Sequence, residues 1–198
     1  MERPADLESL WQAMDDTNPE AEHHIPYWVE LWPATLALCS WIERQKHVLP
    51  AARCLDLGCG LGLSALVAAR FGATVLGMDL EPDALRFARR NAQRNGLSHV
   101  LWACMDWNHP ALASQAFAYI WGGDIFYEQQ FFEPLETLLL RCLALDGRVW
   151  FGDPERSVSR EVWARFTRRG WNVRAADHLL VPFEGSRMAV NIWELRRK

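Results

Sequence analysis

Residues 56–62, Asp-Leu-Gly-Cys-Gly-Leu-Gly, decide the fold. They continue a short apolar run, CLDL (54–57), that reads as a buried strand, and they open SALVAARF (64–71), which reads as a helix. A glycine-rich turn between a strand and a helix lies where open α/β sheets bind ligands, because strand carboxyl ends and helix N-termini converge there. Glycine lets the backbone approach a ligand without an intervening Cβ, and the helix N-terminus offers free N–H groups.

Outward from the turn the chain alternates. TVLGMDL (74–80) reads as a strand, PDALRFARRNAQRN (82–95) as a helix opened by Pro82 and closed by Gly96, and HVLWACM (99–105) as a third strand. FAYIWGGD (117–124), FFEPLETLLLRCLA (131–144), RVWFGD (148–153) and REVWARFTRRG (160–170) repeat the order strand, helix, strand, helix. Upstream, Pro33 opens a helix whose apolar positions Leu36, Leu38, Cys39, Trp41 and Ile42 run toward Lys46. WNVRAAD (171–177) and RMAVNIWEL (187–195) are two strands with no helix between them, hence antiparallel. The expectation is a Rossmann-like, doubly wound α/β sheet of seven strands, mostly parallel, covered by helices on both faces. A single domain over 1–198 is expected, with 1–50 as a helical cover for the site and 51–198 as the core.

Composition narrows the classes. Lys plus Arg number 21 against 25 Asp plus Glu, a formal charge of −4, so no global attraction to nucleic acid or anionic lipid is expected. Five cysteines without a C-x-x-C pair suggest neither disulfides nor zinc, and no metal is expected. The first residues are too acidic for a secretory or transit signal, and no stretch is long and apolar enough to span a bilayer, so a soluble, cytoplasmic protein is expected, and separately a monomer. Most of the eleven Trp are expected in the core. Adjacent His23 and His24, and the clusters Arg89-Arg90 and Arg168-Arg169, read as solvated surface.

Two parses of the glycine turn compete. Gly60 to Ala65 fits the G-x-G-x-x-[GA] dinucleotide fingerprint, with Asp79 downstream, and would imply an NAD-dependent oxidoreductase. The alternative is D-x-G-x-G-x-G. An acid at position 56 would repel a pyrophosphate but could hold the ammonium of an amino-acid moiety, directly or through water.

The stretch D-L-G-C-G-L-G with Met78-Asp79 resembles the first two motifs of class I methyltransferases. That resemblance implies S-adenosyl-L-methionine as cofactor. It assigns Asp56, Gly58, Gly60 and Gly62 to the methionine end and Asp79 to the ribose hydroxyls. Met105-Asp106-Trp107 stands where the family holds adenine, Asp106 accepting from the exocyclic amine and Trp107 stacking. The plainer alternatives are a turn-capping acid and a core tryptophan.

Two further segments resemble a group of small protein methyltransferases that act on lysine, with histidine-directed relatives. In Pro26-Tyr27-Trp28-Val29-Glu30-Leu31-Trp32-Pro33-Ala34 the resemblance puts Trp32 beside the cofactor, against an aromatic staple on the helix. Gly123-Asp124-Ile125-Phe126-Tyr127-Glu128 resembles that group's D-x-x-Y motif, which makes Asp124 and Tyr127 the catalytic candidates; a helix-capping acid and a packed aromatic are the alternatives. Gly152-Asp153-Pro154 with Arg156 resembles the loop of lysine methyltransferases that act on the beta subunit of electron-transfer flavoprotein. The N-P-P-Y tetrapeptide of nucleic-acid and glutamine methyltransferases is absent. The implied reaction is methylation of a protein lysine, with electron-transfer flavoprotein beta subunit as first candidate partner. Histidine or a small-molecule amine are the alternative acceptors.

Overall fold

The computed structural model describes residues 1–4 and 26–198. His23 and His24 lie outside the described residues.

Seven strands form one sheet: β1 (Arg53–Leu57), β2 (Thr74–Asp79), β3 (Leu101–Cys104), β4 (Phe117–Gly123), β5 (Leu143–Asp153), β6 (Trp171–Phe183) and β7 (Ser186–Arg197). Their order is β3-β2-β1-β4-β5-β7-β6. The first five are parallel; β7 is antiparallel to both β5 and β6. Five α-helices accompany them among the described residues: α1 (Pro33–Arg44), which precedes β1, α2 (Leu63–Arg70), α3 (Pro82–Arg94), α4 (Phe132–Cys142) and α5 (Arg160–Arg168). The expected doubly wound, mostly parallel seven-stranded sheet is the observed architecture.

Alternation along the strands feeds two cores. Leu55, Leu57, Ile120, Val149 and Phe151 point to the face covered by α4 and α5. Cys54, Trp121 and Trp150 point to the other, where Ala34, Leu38 and Ile42 of α1 and Ala65 and Ala68 of α2 complete the packing. A parallel sheet buried on both faces reads as an apolar run, which is why CLDL was recognisable. Trp41, Trp121, Trp150, Trp163 and Trp171 are buried in these cores.

Two boundaries differ from expectation. Helix α4 stops at Cys142, and Leu143 turns into β5 to pair with Phe117. The C-terminal hairpin is longer than the sequence implied, because β6 runs through Pro182 to Phe183 and pairs with β7, with one register shift between Ala175 and Asp177, around a two-residue turn at Glu184 and Gly185, both with positive φ. Strand β6 is the sheet edge, so Pro182, which lacks an N–H, sits where one side needs no ladder bond. The hairpin extends past Asp153↔Asn191, its last pairing with β5, and so overhangs the carboxyl end of the parallel strands. Arg169 also departs from a merely solvated reading: it binds buried Glu136 at 2.7 Å.

Candidate functional site

A cavity of about 790 Å³ opens at that carboxyl end, walled by the glycine turn, the ends of β2, β3 and β4, and the segment before α1. Gly58, Gly60, Asp79, Asp106, Trp107, Asp124, Tyr127 and Trp32 all line it. Residues from four strand ends and an N-terminal segment thus meet in one place.

Asp79 ends β2 and is fixed from two sides. Gly60 donates its N–H to Oδ2 at 2.7 Å, and the Glu81 N–H donates to Oδ1 at 3.0 Å. Burial pushes its carboxyl above the ordinary range, and the two amides oppose that shift. A carboxylate has about four lone-pair sites, so both oxygens keep capacity for a diol. The turn makes room beside it: a Cβ on Gly58 would come 3.2 Å from Ile125 Cγ2 and 3.8 Å from Trp107.

Asp56 and Gly62 do not line the cavity. Asp56 points under the turn, 1% exposed, where Ser64 Oγ donates to it at 2.5 Å. Burial raises its pKa to about 7. Gly62 begins α2 at φ 84, and a Cβ there would lie 2.5 Å from Trp102 Cη2 and 3.0 Å from Ala88 Cβ. These two residues shape the turn from beneath.

At the end of β3, Asp106 accepts from the Asn108 backbone N–H at 2.8 Å and its Nδ2 at 2.7 Å, so it caps the turn while also facing the cavity. The Asn108 backbone bond is the main reason its carboxyl lies below the usual range. Trp107 is half-buried on the wall, edge-on to Phe131 at 5.1 Å, rather than enclosed in the core.

Asp124, just past β4, takes φ +56, a left-handed conformation that Asp tolerates better than most residues. It donates its N–H to Gly152 O at 2.9 Å. Its side chain is 6% exposed, and both oxygens accept from Arg156, from Nε at 2.7 Å and Nη2 at 2.6 Å. It therefore does not cap the following helix. Arg156 lies on the loop after β5, anchored by Asp153, which accepts from Ser159 Oγ at 2.7 Å and Trp163 Nε1 at 3.1 Å.

Trp32 precedes α1, and its indole N–H donates to Tyr27 O at 2.8 Å. Tyr127 lies 5.6 Å from Tyr27 and 5.0 Å from Phe131, ring centre to ring centre. An arc of rings therefore runs from Phe183 through Trp32, Tyr27, Tyr127 and Phe131 to Trp107. Burial pushes the Tyr127 hydroxyl up to about 12, so it stays a phenol at neutral pH. Sequence reasoning did not single out Tyr27, Phe131 or Phe183. The aromatic richness of 26–34 was a signal for Tyr27, whereas Phe131 resembled a core residue and Phe183 lay in an apparent turn.

Residues 54–147 match the methyltransferase domain family. Over those residues the chain carries a methyltransferase domain. It is 31% identical over 161 residues to the electron transfer flavoprotein beta subunit lysine methyltransferase of Danio rerio, spanning 80% of this chain and 58% of that protein. Over 133 residues it is 29% identical to a histone-arginine methyltransferase of Mus musculus, spanning 65% of this chain and 53% of that protein. The chain therefore spans little more than half the length of these relatives. Among solved structures, a ribosomal protein L11 methylase from Lactobacillus delbrueckii subsp. bulgaricus superimposes with TM-score 0.66 at 18% identity, over 83% of this chain and 79% of that one, a likeness of fold. These findings decide the glycine-turn parse for the S-adenosylmethionine-dependent class and against the dinucleotide one.

The methyltransferase domain's cavity suits that cofactor. Asp79 offers two oxygens to a diol, Asp106 and Trp107 offer an acceptor and a flat ring to a base, and Gly58 keeps the gap between turn and wall open. Six acids, Glu30, Asp79, Glu81, Asp106, Asp124 and Glu128, line the cavity of the methyltransferase domain among the described residues, against one basic side chain, Arg156. Such a field favours a cationic ligand.

Proposed function

We propose that this protein transfers a methyl group from S-adenosylmethionine to a lysine side chain of a protein partner, with electron-transfer flavoprotein beta subunit as the first partner to test. The observation that carries the reading is Asp124: a nearly buried carboxylate that lines the same cavity as Tyr27, Tyr127, Asp79 and the glycine turn. The lysine-directed relative supports the acceptor class.

Bound there, S-adenosylmethionine supplies a methyl group on a sulfonium sulfur, which keeps the C–S electron pair when an amine takes the methyl. Asp79 would hold the ribose, and Asp106 and Trp107 the adenine. Gly58 and Gly60 would let the backbone close on the methionine end, with Trp32 beside it. Asp56 and Gly62 would act on that end by fixing the shape of the turn.

The acceptor side must solve a proton problem. A lysine with pKa near 10.4 is neutral in roughly one molecule in a few thousand at pH 7, and only the neutral amine is a nucleophile. Asp124 would orient the nitrogen through an N–H, and the rings of Tyr27 and Tyr127 would guide the incoming cation. Tyr127, a phenol held well above neutrality, can orient but not remove a proton.

The test is a methylation assay with labelled cofactor on recombinant electron-transfer flavoprotein beta subunit and on whole-cell lysate. Label on a protein lysine supports the reading. Label confined to small metabolites, to histidine or to arginine would replace the acceptor while keeping the methyltransferase.

A further inference from the structure

The fork between Asp124 and Arg156 bears on the proton problem and rests on the lysine reading above. A bare, nearly buried carboxylate next to the acceptor nitrogen would stabilise the ammonium and so oppose formation of the nucleophile. Asp124 is not bare: both of its oxygens accept from one guanidinium, the pairing in which Arg is most effective.

We propose that Arg156 is a positioning residue for methyl transfer: it neutralises Asp124, so that Asp124 orients the acceptor as a neutral amine instead of trapping it as an ammonium. Two of the carboxylate's lone-pair sites serve the fork, and the remaining ones can accept an amine N–H. The proton lost by the incoming ammonium goes to water before attack, and the lone pair so freed makes the bond to the methyl carbon.

Other titratable groups face the fork from each neighbouring element, and most are held by partners of their own. From the N-terminal segment come the Tyr27 hydroxyl and Glu30, the latter bound by Arg3 at 2.8 Å. From the loop after β4 come Tyr127 and Glu128, the latter bonded by Gln130. From β5 and its loop, Asp153 is held by Ser159 and Trp163, and Glu155 accepts from Asn191 Nδ2 at 2.6 Å. His178 on β6 contacts Oδ1 of that same Asn191, and Asp79 on β2 is held by two backbone amides. Arg156 itself is firmly placed at its backbone, since its carbonyl accepts from Ser159 Oγ at 2.9 Å and Ser159 N at 3.1 Å.

The probe is n-butylamine, a lysine side chain without a peptide, bound to the full chain saturated with S-adenosylhomocysteine and followed by tryptophan fluorescence across the pH range. Wild type is expected to bind it at least tenfold more tightly at about pH 10 than at about pH 7.5, following the neutral fraction. Arg156→Gln is expected to bind the ammonium, more tightly than wild type at the lower pH and with less than a twofold rise. Arg156→Lys, which keeps a positive charge, should restore most of the rise. A wild-type affinity that is flat or falls with pH, or an Arg156→Gln profile that matches wild type, overturns the role of Arg156 alone. Absence of binding to any of the three proteins at any pH overturns the lysine reading and this role with it. S-adenosylhomocysteine affinity, measured on each variant, establishes that the site is folded.

Discussion

Gly60 donates its backbone N–H to Asp79 Oδ2 at 2.7 Å, which joins the glycine turn after β1 to the acid that ends β2. The turn and the acid are thus one unit: the carboxylate that faces the cavity also fixes the loop beside it. Asp79→Ala removes both functions. Affinity for S-adenosylhomocysteine is expected to fall at least tenfold, more than about 1.4 kcal/mol, in calorimetric titration. Unchanged affinity in a folded variant would remove Asp79 from the cofactor site.

Glycines in the turn differ in what they protect. Gly62→Ala drives a Cβ into Trp102 and Ala88 at a positive φ, so the variant should lose at least about 2 kcal/mol of stability in a denaturant titration. Gly60→Ala meets nothing closer than the Trp28 carbonyl at 3.4 Å and should lose less. The reverse order would mean that Trp102 does not pack as described.

Asp56 makes a pH prediction. Its carboxyl, moved by burial from 3.8 to about 7, keeps its proton in the folded protein over a window where the unfolded chain has lost it. Its contribution therefore falls as pH rises from about 4 to about 7, and is constant above and below. Asp56→Asn lacks this loss, so its stability relative to wild type should climb through that window, by an amount on the order of a few kcal/mol. A pH-independent difference would mean that Asp56 is ionised throughout.

Asp106 serves a turn as well as the cavity. Asp106→Asn is expected to weaken the preference for adenine over an analogue without the exocyclic amine, because the amide can present a donor where the carboxylate only accepts. Equal discrimination before and after the change would leave Asp106 as a turn cap alone.

Much of this architecture was legible from residues 53–170, where each apolar run and each Pro or Gly boundary speaks for a local element. The hairpin was less so. Pro182 looks like a strand breaker unless one knows that β6 is the edge, and that is a property of the whole sheet. The same distinction divides the site. Gly58, Gly60 and Asp79 announce themselves through a contiguous pattern, whereas the bond between Asp124 and Arg156 spans 32 positions and depends on β4 and β5 lying side by side. Position 56 shows the limit from the other direction. An acid before the first glycine was readable, but its burial under the turn against Ser64 follows from strand alternation, which aims it at α2.

The central claim is that one cavity binds S-adenosylmethionine and presents a lysine to it at Asp124, and Asp124→Ala tests it most directly. Transfer of labelled methyl to the partner protein and affinity for S-adenosylhomocysteine are measured on the same preparation. The expected result is loss of transfer with cofactor affinity within a few-fold of wild type, and no label on a partner whose acceptor lysine is replaced by Arg, since a guanidinium stays protonated. Full turnover by Asp124→Ala, or label that still reaches the partner after that replacement, would contradict it.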